Sequence, residues 1–530
     1  MPINAGTLTA PERSSYAWLA GIVAAGFLAR LWLLFAMPEG WVDPDHYMRN
    51  GWQLATGTGP LLDRVVAAAA YPFAGLTFYL PPLYPVFLAV SALLPGYPWP
   101  AAIAQCAINA AMPAVLFFVG NRIGSTRTGM VAAVVFAVWP PGLNSGRVFM
   151  QEQLYIPLLV VAFALFVRYY GDARATRHVA TGVVFGLAAL TRAMILYYVA
   201  ALPVMVLLVE RSWRPLRVQL LPLLAGAALV VVPYSLFVSA KTGHAMLIEN
   251  HAGFDMMRYS DGDLTDKPTV NTGMSVVIDA IVRRPAAFLR DWWTYVRTLY
   301  KPFGTRWLEG FGAFQSRGTA LAGSAARLLV DALYLAVLGL APVGLVLLAP
   351  RRLPLLLAAW VALVTAATAF SGVGGARYRA PVDPVLIVLA AAAIGRPWRP
   401  RRAALGATAV GIAIVLIVTA GVPSANWTPM YGFASWSAEH AAGRSTADAD
   451  AALTLPPTAF GLTLSFPGRR AADGPVRVQI SLDRTLVVDR PVVPSPVPAR
   501  FTWSRSGYVR IRARDETHGR PVAFEIAVLK

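Results

Sequence analysis

"PAAIAQCAINAAMPAVLFFVG" (Pro100–Gly120) runs for 21 residues without a charged side chain. "NRIGSTRTG" (Asn121–Gly129) then brings two arginines before the chain turns apolar again as far as Phe149. A helix rises about 1.5 Å per residue, so a run of this length crosses a hydrocarbon core of roughly 30 Å. Arginines in a short loop between two such runs mark the cytoplasmic surface. Most of the chain repeats this unit of span, basic loop and span. The composition agrees: 57% of the 530 residues are hydrophobic and only 14% are charged, against about 25% charged in soluble domains.

Eleven spans are expected: Tyr16–Ala36, Pro100–Gly120, Gly129–Phe149, Leu154–Tyr170, Val179–Leu190, Ala193–Val209, Leu220–Ser239, Arg327–Ala349, Pro354–Ser371, Pro381–Gly395 and Ala403–Gly421. The basic loops Asn121–Gly129, Arg168–His178, Glu210–Arg217, Pro350–Pro354 and Arg396–Arg402 fall in every second connection. That places them and the N-terminus in the cytoplasm and the C-terminus outside. The first run is too long for a leader and no small-residue cleavage site follows it, so it reads as a span. The net charge of +19 resides mostly in these loops, so membrane topology explains it without a nucleic-acid partner. Cys106 is the single cysteine and lies in an apolar run, which excludes a disulfide framework and a cysteine metal site.

Residues 1–424 therefore form a multi-span domain with long external loops at 38–98 and 240–324. In the first loop, "PPLYPVFLAVSALLP" (Pro81–Pro95) is too short to span and is expected at, or dipping into, the membrane surface. In the second, Val277–Phe303 sets arginines against Trp, Tyr and Phe, a pattern suited to a helix at headgroup level. After a linker at 425–450 the hydrophobic period drops to two, in "LTLSF", "VRVQISL", "TLVVD", "FTWSR", "YVRIRAR" and "FEIAVL". Alternation punctuated by turn residues predicts a small all-β sandwich at 451–530, on the external side.

Ionisable clusters beside a bilayer are functional-site candidates. Here they fall at the external ends of the spans: Asp43, Asp45, His46, Tyr47 and Arg49; Arg147, Gln151 and Glu152; Arg192; Arg377, Tyr378, Arg379 and Asp383; and the stretch Ile248–Asp263. Each has an ordinary reading beside the functional one. Asp43 suits a helix N-cap, Glu152 suits an ion pair with Arg147, and Arg377 and Arg379 suit snorkelling to headgroups. Taken together, arginines suit phosphate and a carboxylate suits removal of a hydroxyl proton. That combination fits group transfer from a lipid phosphate to an acceptor hydroxyl.

The order of motifs resembles the membrane glycosyltransferases of the GT-C fold, in particular bacterial relatives of protein O-mannosyltransferases and lipid A aminoarabinose transferases. "DPDHY" (Asp43–Tyr47) is similar to their Asp-Glu-x-x-Tyr motif, with Pro44 where the Glu would stand. "LPPLYPVFLA" (Leu80–Ala89) carries the Pro-Pro-Leu-Tyr element, including Tyr84, with Leu80 in place of a frequent Lys. Glu152 opens a span as the family's second acidic residue does, "GLAALTR" (Gly186–Arg192) matches a Gly-Leu-x-x-Leu-Thr-Arg/Lys element, and "RYRAP" (Arg377–Pro381) an Arg-Tyr-x-x-Pro element.

The resemblance implies an inverting transfer of a sugar from a polyprenyl-phosphate donor to a glycan, lipid or protein acceptor, at the outer face of a bacterial inner membrane. It implies Asp43 as general base with Asp45 in reserve, Glu152 positioning acceptor or sugar, and Arg192, Arg377 and Arg379 on the lipid phosphate. Tyr47, Arg49, Tyr84 and Tyr378 complete the expected substrate-binding set. No cofactor is required by the pattern. A divalent metal remains open through His46, Glu249, His251 and Asp255, whose spacing matches no metal signature. A flippase of lipid-linked saccharides would show ionisable or Gly/Pro-broken spans at mid-membrane and related halves; most charges here sit at span ends, and the sequence shows no related halves. A polymerase or ligase using lipid-diphosphate donors would share the same outer basic site. A glycan-holding role for the β-domain, through the aromatics of Phe501–Arg512, competes with their reading as ordinary sheet core.

Overall fold

The computed structural model describes residues 13–36, 47–73, 76–143, 145–146, 148–243, 245–249, 270–300, 302, 320–348, 352–371, 376–395 and 402–419, and, towards the C-terminus, 445–447, 450–454, 461–466, 469–482, 485–495, 499–502, 508–517, 522 and 524–529. Asp43, Pro44, Asp45, His46, Arg147, His251 and Asp255 lie outside the described residues. The chain divides into a helical unit (Met1–Pro72, Leu76–Pro302, Asp331–Val422) and a second unit (Phe73–Gly75, Phe303–Val330, Pro423–Lys530).

The helical unit opens with α1 (Arg13–Ala36), α2 (Tyr47–Thr56) and α3 (Leu61–Ala69), then the two-stranded hairpin β1 (Ala70–Phe73) and β2 (Leu76–Tyr79) and α4 (Leu83–Ala92). There follow α5 (Trp99–Ile123), α6 (Thr126–Ala137), α7 (Pro140–Leu143), α8 (Glu152–Tyr169), α9 (Ala175–Thr191), α10 (Met194–Glu210) and α11 (Leu221–Thr242), the last entered through a π-turn at Leu216–Leu220. The remainder is α12 (Val270–Arg283), α13 (Pro285–Tyr300), α14 (Ala320–Leu348), α15 (Arg352–Phe370), α16 (Ala376–Arg379), α17 (Asp383–Gly395) and α18 (Arg402–Thr419). Each of the eleven apolar runs overlaps a helix, and among the described residues six helices are long and apolar enough to cross a membrane. The chain is a multi-pass membrane protein of largely helical fold.

Two departures from the sequence reading have local causes. The run Gly129–Phe149 is not one helix: α6 stops at Ala137, and the chain turns through α7 at Pro140-Pro141-Gly142. A proline lacks the N–H and clashes with the preceding turn, and hydropathy does not register this because the residues stay apolar. The amphipathic stretch Val277–Phe303 is likewise split between α12 and α13 around Arg284, with Pro285 at the first position of α13, where its fixed φ is tolerated. The short apolar segment of the first loop forms α4, only ten residues long, or about 15 Å.

Close packing in the bundle depends on small residues. A Cβ on Gly182 of α9 would stand 1.8 Å from the Leu223 carbonyl oxygen of α11, and one on Gly226 of α11 would stand 2.1 Å from that of Val179. Both positions therefore need glycine for backbone approach, the usual device of helix pairs in lipid. An aromatic knot on Trp360 of α15 ties in Phe163 of α8 at 4.4 Å, Tyr198 of α10 at 5.4 Å and Phe185 of α9 at 6.5 Å. The first two meet edge-on, a geometry that contributes beyond the area it buries.

In the second unit, β3 (Ser445–Ala447), β10 (Phe524–Leu529), β5 (Gly461–Ser465) and β8 (Ala499–Thr502) form one antiparallel sheet in that order. β4 (Asp450–Thr454), β9 (Tyr508–Asp515), β6 (Val476–Leu482) and β7 (Thr485–Val492) form the other. Alternate residues are buried: Val476, Val478 and Ile480 on β6, with Ile511 and Ala513 opposite on β9. That is the two-residue period of a sheet with one face in a core. β3 falls within the stretch 425–450 that was expected to be linker.

Candidate active site

α8 and α9 are antiparallel partners joined at Tyr170–Arg174, so the start of α8 and the end of α9 lie at the same end of the bundle. Glu152 is the first residue of α8, where a carboxylate complements the helix dipole. Arg192 caps α9 in extended geometry (φ −152°, ψ 108°), where a cation does the same. The two side chains form an ion pair, with 10% and 12% of their side-chain surfaces exposed. The ordinary reading of Glu152 had Arg147 as its partner; Arg147 lies outside the described residues, and among those described Arg192 pairs with Glu152.

Three further groups gather on Arg192. The Gln151 amide oxygen accepts from Arg192 Nη1 at 3.0 Å, while its nitrogen donates to the Thr191 carbonyl at 2.8 Å and to Tyr47 Oη at 3.1 Å. The guanidinium lies 5.0 Å from the ring centroid of Tyr378 on α16 and 5.9 Å from that of Tyr155 on α8. Tyr47, the first residue of α2, is fully buried and meets Tyr84 edge-on with centroids 5.0 Å apart. Tyr84 Oη donates to Gln105 Oε1 at 2.6 Å, and Gln105 Nε2 donates to the Ser145 carbonyl at 3.2 Å. Asn109, one turn along α5, donates to the Gln153 carbonyl at 3.0 Å. Five residues expected from sequence, Tyr47, Tyr84, Glu152, Arg192 and Tyr378, thus converge through linked hydrogen bonds and aromatic contacts.

Other expected residues sit elsewhere. Arg49 is on the exposed face of α2. Arg377 lies on α16 beside Tyr378, and its side chain is outside the described set. Arg379 is fully buried and engaged within the bundle. Its Nε donates to Asp383 Oδ1 at 2.8 Å, its Nη1 donates to the Leu299 carbonyl at 3.1 Å, and its guanidinium lies 4.0 Å from the Tyr334 ring centroid. Trp139 Nε1 donates to the second Asp383 oxygen at 3.0 Å. A cation this enclosed favours an anchoring role over phosphate binding: α13, α14, α16, α17 and the α6–α7 turn all meet at this pair. Glu249 has Tyr197 and Tyr234 as electrostatic neighbours. Among the described residues no group of three or more His, Cys, Asp or Glu side chains could hold a metal ion.

Sequence reasoning missed Gln151 as a bridge, and also Arg30. Arg30 is 1% exposed within α1. It donates through Nε to the Gly142 carbonyl at 2.8 Å and through Nη1 to the Gly26 carbonyl at 2.8 Å. It pins α1 to the α6–α7 turn. An arginine inside a span was the available signal, since such a charge is tolerated only where it is satisfied.

The end of the bundle opposite to Glu152 and Arg192 gathers the basic loops. Glu210 accepts from Tyr170 and pairs with Arg352, and the Gly171 N–H donates to Gln219 Oε1 at 3.1 Å. Thr128 packs against Gly395, where a Cβ would meet its backbone nitrogen at 2.7 Å. Loops assigned to one side by their charge are thus spatial neighbours.

Residues 80–237 match the family described as dolichyl-phosphate-mannose-protein mannosyltransferase, a segment that includes Tyr84, Gln151, Glu152 and Arg192. Among solved structures, the chain is similar to ArnT from Cupriavidus metallidurans bound to undecaprenyl phosphate, with 17% identity over 81% of this chain and 70% of that one, TM-score 0.48. It is also similar to the archaeal oligosaccharyltransferase AglB from Archaeoglobus fulgidus in complex with an inhibitory peptide and a dolichol-phosphate, with 13% identity, 76% and 54% coverage and TM-score 0.45. Arabinofuranosyltransferase AftD from Mycobacteria shares 16% identity over 78% of this chain and 27% of its own, TM-score 0.34. No curated protein matches. The chain is a polytopic membrane protein that resembles the GT-C membrane glycosyltransferases and carries, at residues 80–237, the signature of their mannosyltransferase relatives.

Proposed function

We propose that this protein transfers a sugar from a polyprenyl-phosphate donor to an acceptor hydroxyl at the external face of the membrane, with inversion at the anomeric carbon. The observation that carries the proposal is the Glu152–Arg192 pair, tied through Gln151 to Tyr47 at the end of the helices away from the basic loops. Asp43, four residues before Tyr47, accepts the acceptor's hydroxyl proton. The acceptor oxygen bonds to the anomeric carbon as the bond from that carbon to the phosphate oxygen breaks. Polyprenyl phosphate leaves with one more negative charge, which Arg192, aided by Arg377, stabilises in a site of low exposure. Glu152 holds Arg192 until the donor arrives and then orients sugar or acceptor. Tyr47 and Tyr84 shape one wall of the site. The pattern of basic loops supports the external face and a cytoplasmic N-terminus.

The test is Asp43→Asn, in which the loss of a general base lowers the transfer rate roughly 10²–10⁴-fold while donor binding stays intact. An unchanged rate in a folded variant removes Asp43 from the role.

A further inference from the structure

Tyr155 carries a group that folding does not explain. It lies three residues into α8 from Glu152, so both point along the same face of the helix. It is 1% exposed, and its buried hydroxyl has no hydrogen-bond partner. The Arg192 guanidinium lies against its ring, and Glu152 and Tyr198 are its other polar neighbours. Nearby, Tyr198 satisfies its own hydroxyl on Thr368 Oγ1 at 3.1 Å, whereas the Tyr155 hydroxyl, beside Arg192, does not find a partner. A buried, unpaired hydroxyl costs folding free energy that phenylalanine would avoid with the same ring.

We propose that Tyr155 is a further donor-binding residue: its hydroxyl donates to a phosphate oxygen of the lipid-linked sugar when that oxygen takes the place of the Glu152 carboxylate on Arg192. The inference rests on the proposed transfer function. The chemistry selects an anion, because Arg192 and Tyr155 both offer donors and a phosphate ester offers only acceptors there. Glu152, an acceptor, competes with that oxygen for Arg192 and must swing away when the phosphate binds. The hydroxyl left unpaired in the fold thereby gains a charge-assisted hydrogen bond in the complex.

The experiment compares wild type and Tyr155→Phe, both full-length in lipid nanodiscs, for binding of undecaprenyl phosphate, undecaprenol and inorganic phosphate, and for thermal unfolding. Tyr155→Phe is expected to keep or raise the unfolding midpoint. It should weaken undecaprenyl phosphate binding about tenfold, the usual scale of one hydrogen bond to a charged oxygen, and leave undecaprenol unchanged. Unchanged affinity for the phosphate, an equal loss for phosphate and alcohol, or a lowered midpoint each overturns the assignment of Tyr155. Wild type that binds undecaprenyl phosphate no better than undecaprenol overturns the underlying transfer reading instead. Inorganic phosphate binding as tightly as the lipid would make the free anion the ligand and remove the lipid assignment.

Discussion

At the scale of single residues, Arg192 is the centre of the candidate site and is already occupied. Its guanidinium is shared among Glu152, Gln151 and two tyrosine rings, and only 8% of the residue is exposed. In the proposed reaction a donor phosphate reaches Arg192 by exchange with Glu152. Neutralising that carboxylate in Glu152→Gln removes a countercharge from a nearly buried arginine, which destabilises the ligand-free protein. The same uncompensated charge attracts anions. Undecaprenyl phosphate should then bind Glu152→Gln more tightly than wild type and raise its unfolding midpoint by a larger increment, as binding linkage requires, while turnover falls. Thermal unfolding with and without the lipid measures this; a smaller increment than in wild type would show that Glu152 does not compete for the site. Glu152 and Arg192 were legible in sequence because a charge at the end of an apolar run is conspicuous. Gln151 was named in the same cluster, but its bridging role was not legible, because only the fold shows it touching both Tyr47 and Arg192.

At the scale of elements, the position of Arg192 depends on α9 lying hard against α11. Glycine in a helix interior ordinarily costs about 1 kcal/mol relative to alanine. Gly182 and Gly226 offset that cost by letting two backbones touch. Gly182→Ala should destabilise the protein by roughly 1–3 kcal/mol, as overpacking does, and shift the α9 terminus that carries Arg192, so donor affinity falls with stability. Gly21 of α1 has nothing within 4 Å of a Cβ, so Gly21→Ala should be neutral or stabilising by up to about 1 kcal/mol. Unfolding in one detergent compares the two, and equal effects would mean that glycine contacts do not set the α9–α11 distance. The helices themselves were legible because crossing hydrocarbon demands long apolar runs. Their ends were less so: the stop of α6 before Pro140 and the break at Arg284–Pro285 are set by backbone chemistry that hydropathy ignores. The convergence of Arg379, Asp383 and Trp139 was illegible for another reason, since residues 139 and 383 meet only through tertiary packing.

At the scale of the whole molecule, the proposed function requires the Glu152–Arg192 end of the bundle to face outward and the basic-loop end inward. The two ends are distinguishable by accessibility. Arg214 is exposed in the loop between α10 and α11, on the basic side. Asp63 of α3 pairs with Lys241 at the far end of α11 at 2.7 Å, with side chains 44% and 47% exposed. A half-exposed pair of this kind adds little stability, so Asp63 can be replaced without unfolding the protein. Cys106, the single cysteine, is fully buried, so the native chain should give almost no background with a membrane-impermeant maleimide. Asp63→Cys should label in intact cells, and Arg214→Cys only after the membrane is permeabilised. The reverse pattern would put the candidate site on the cytoplasmic side. Labelling of both from one side would mean that α11 does not cross, because that helix alone separates the two positions: Leu221 begins it just after the Arg214 loop and Lys241 ends it against Asp63.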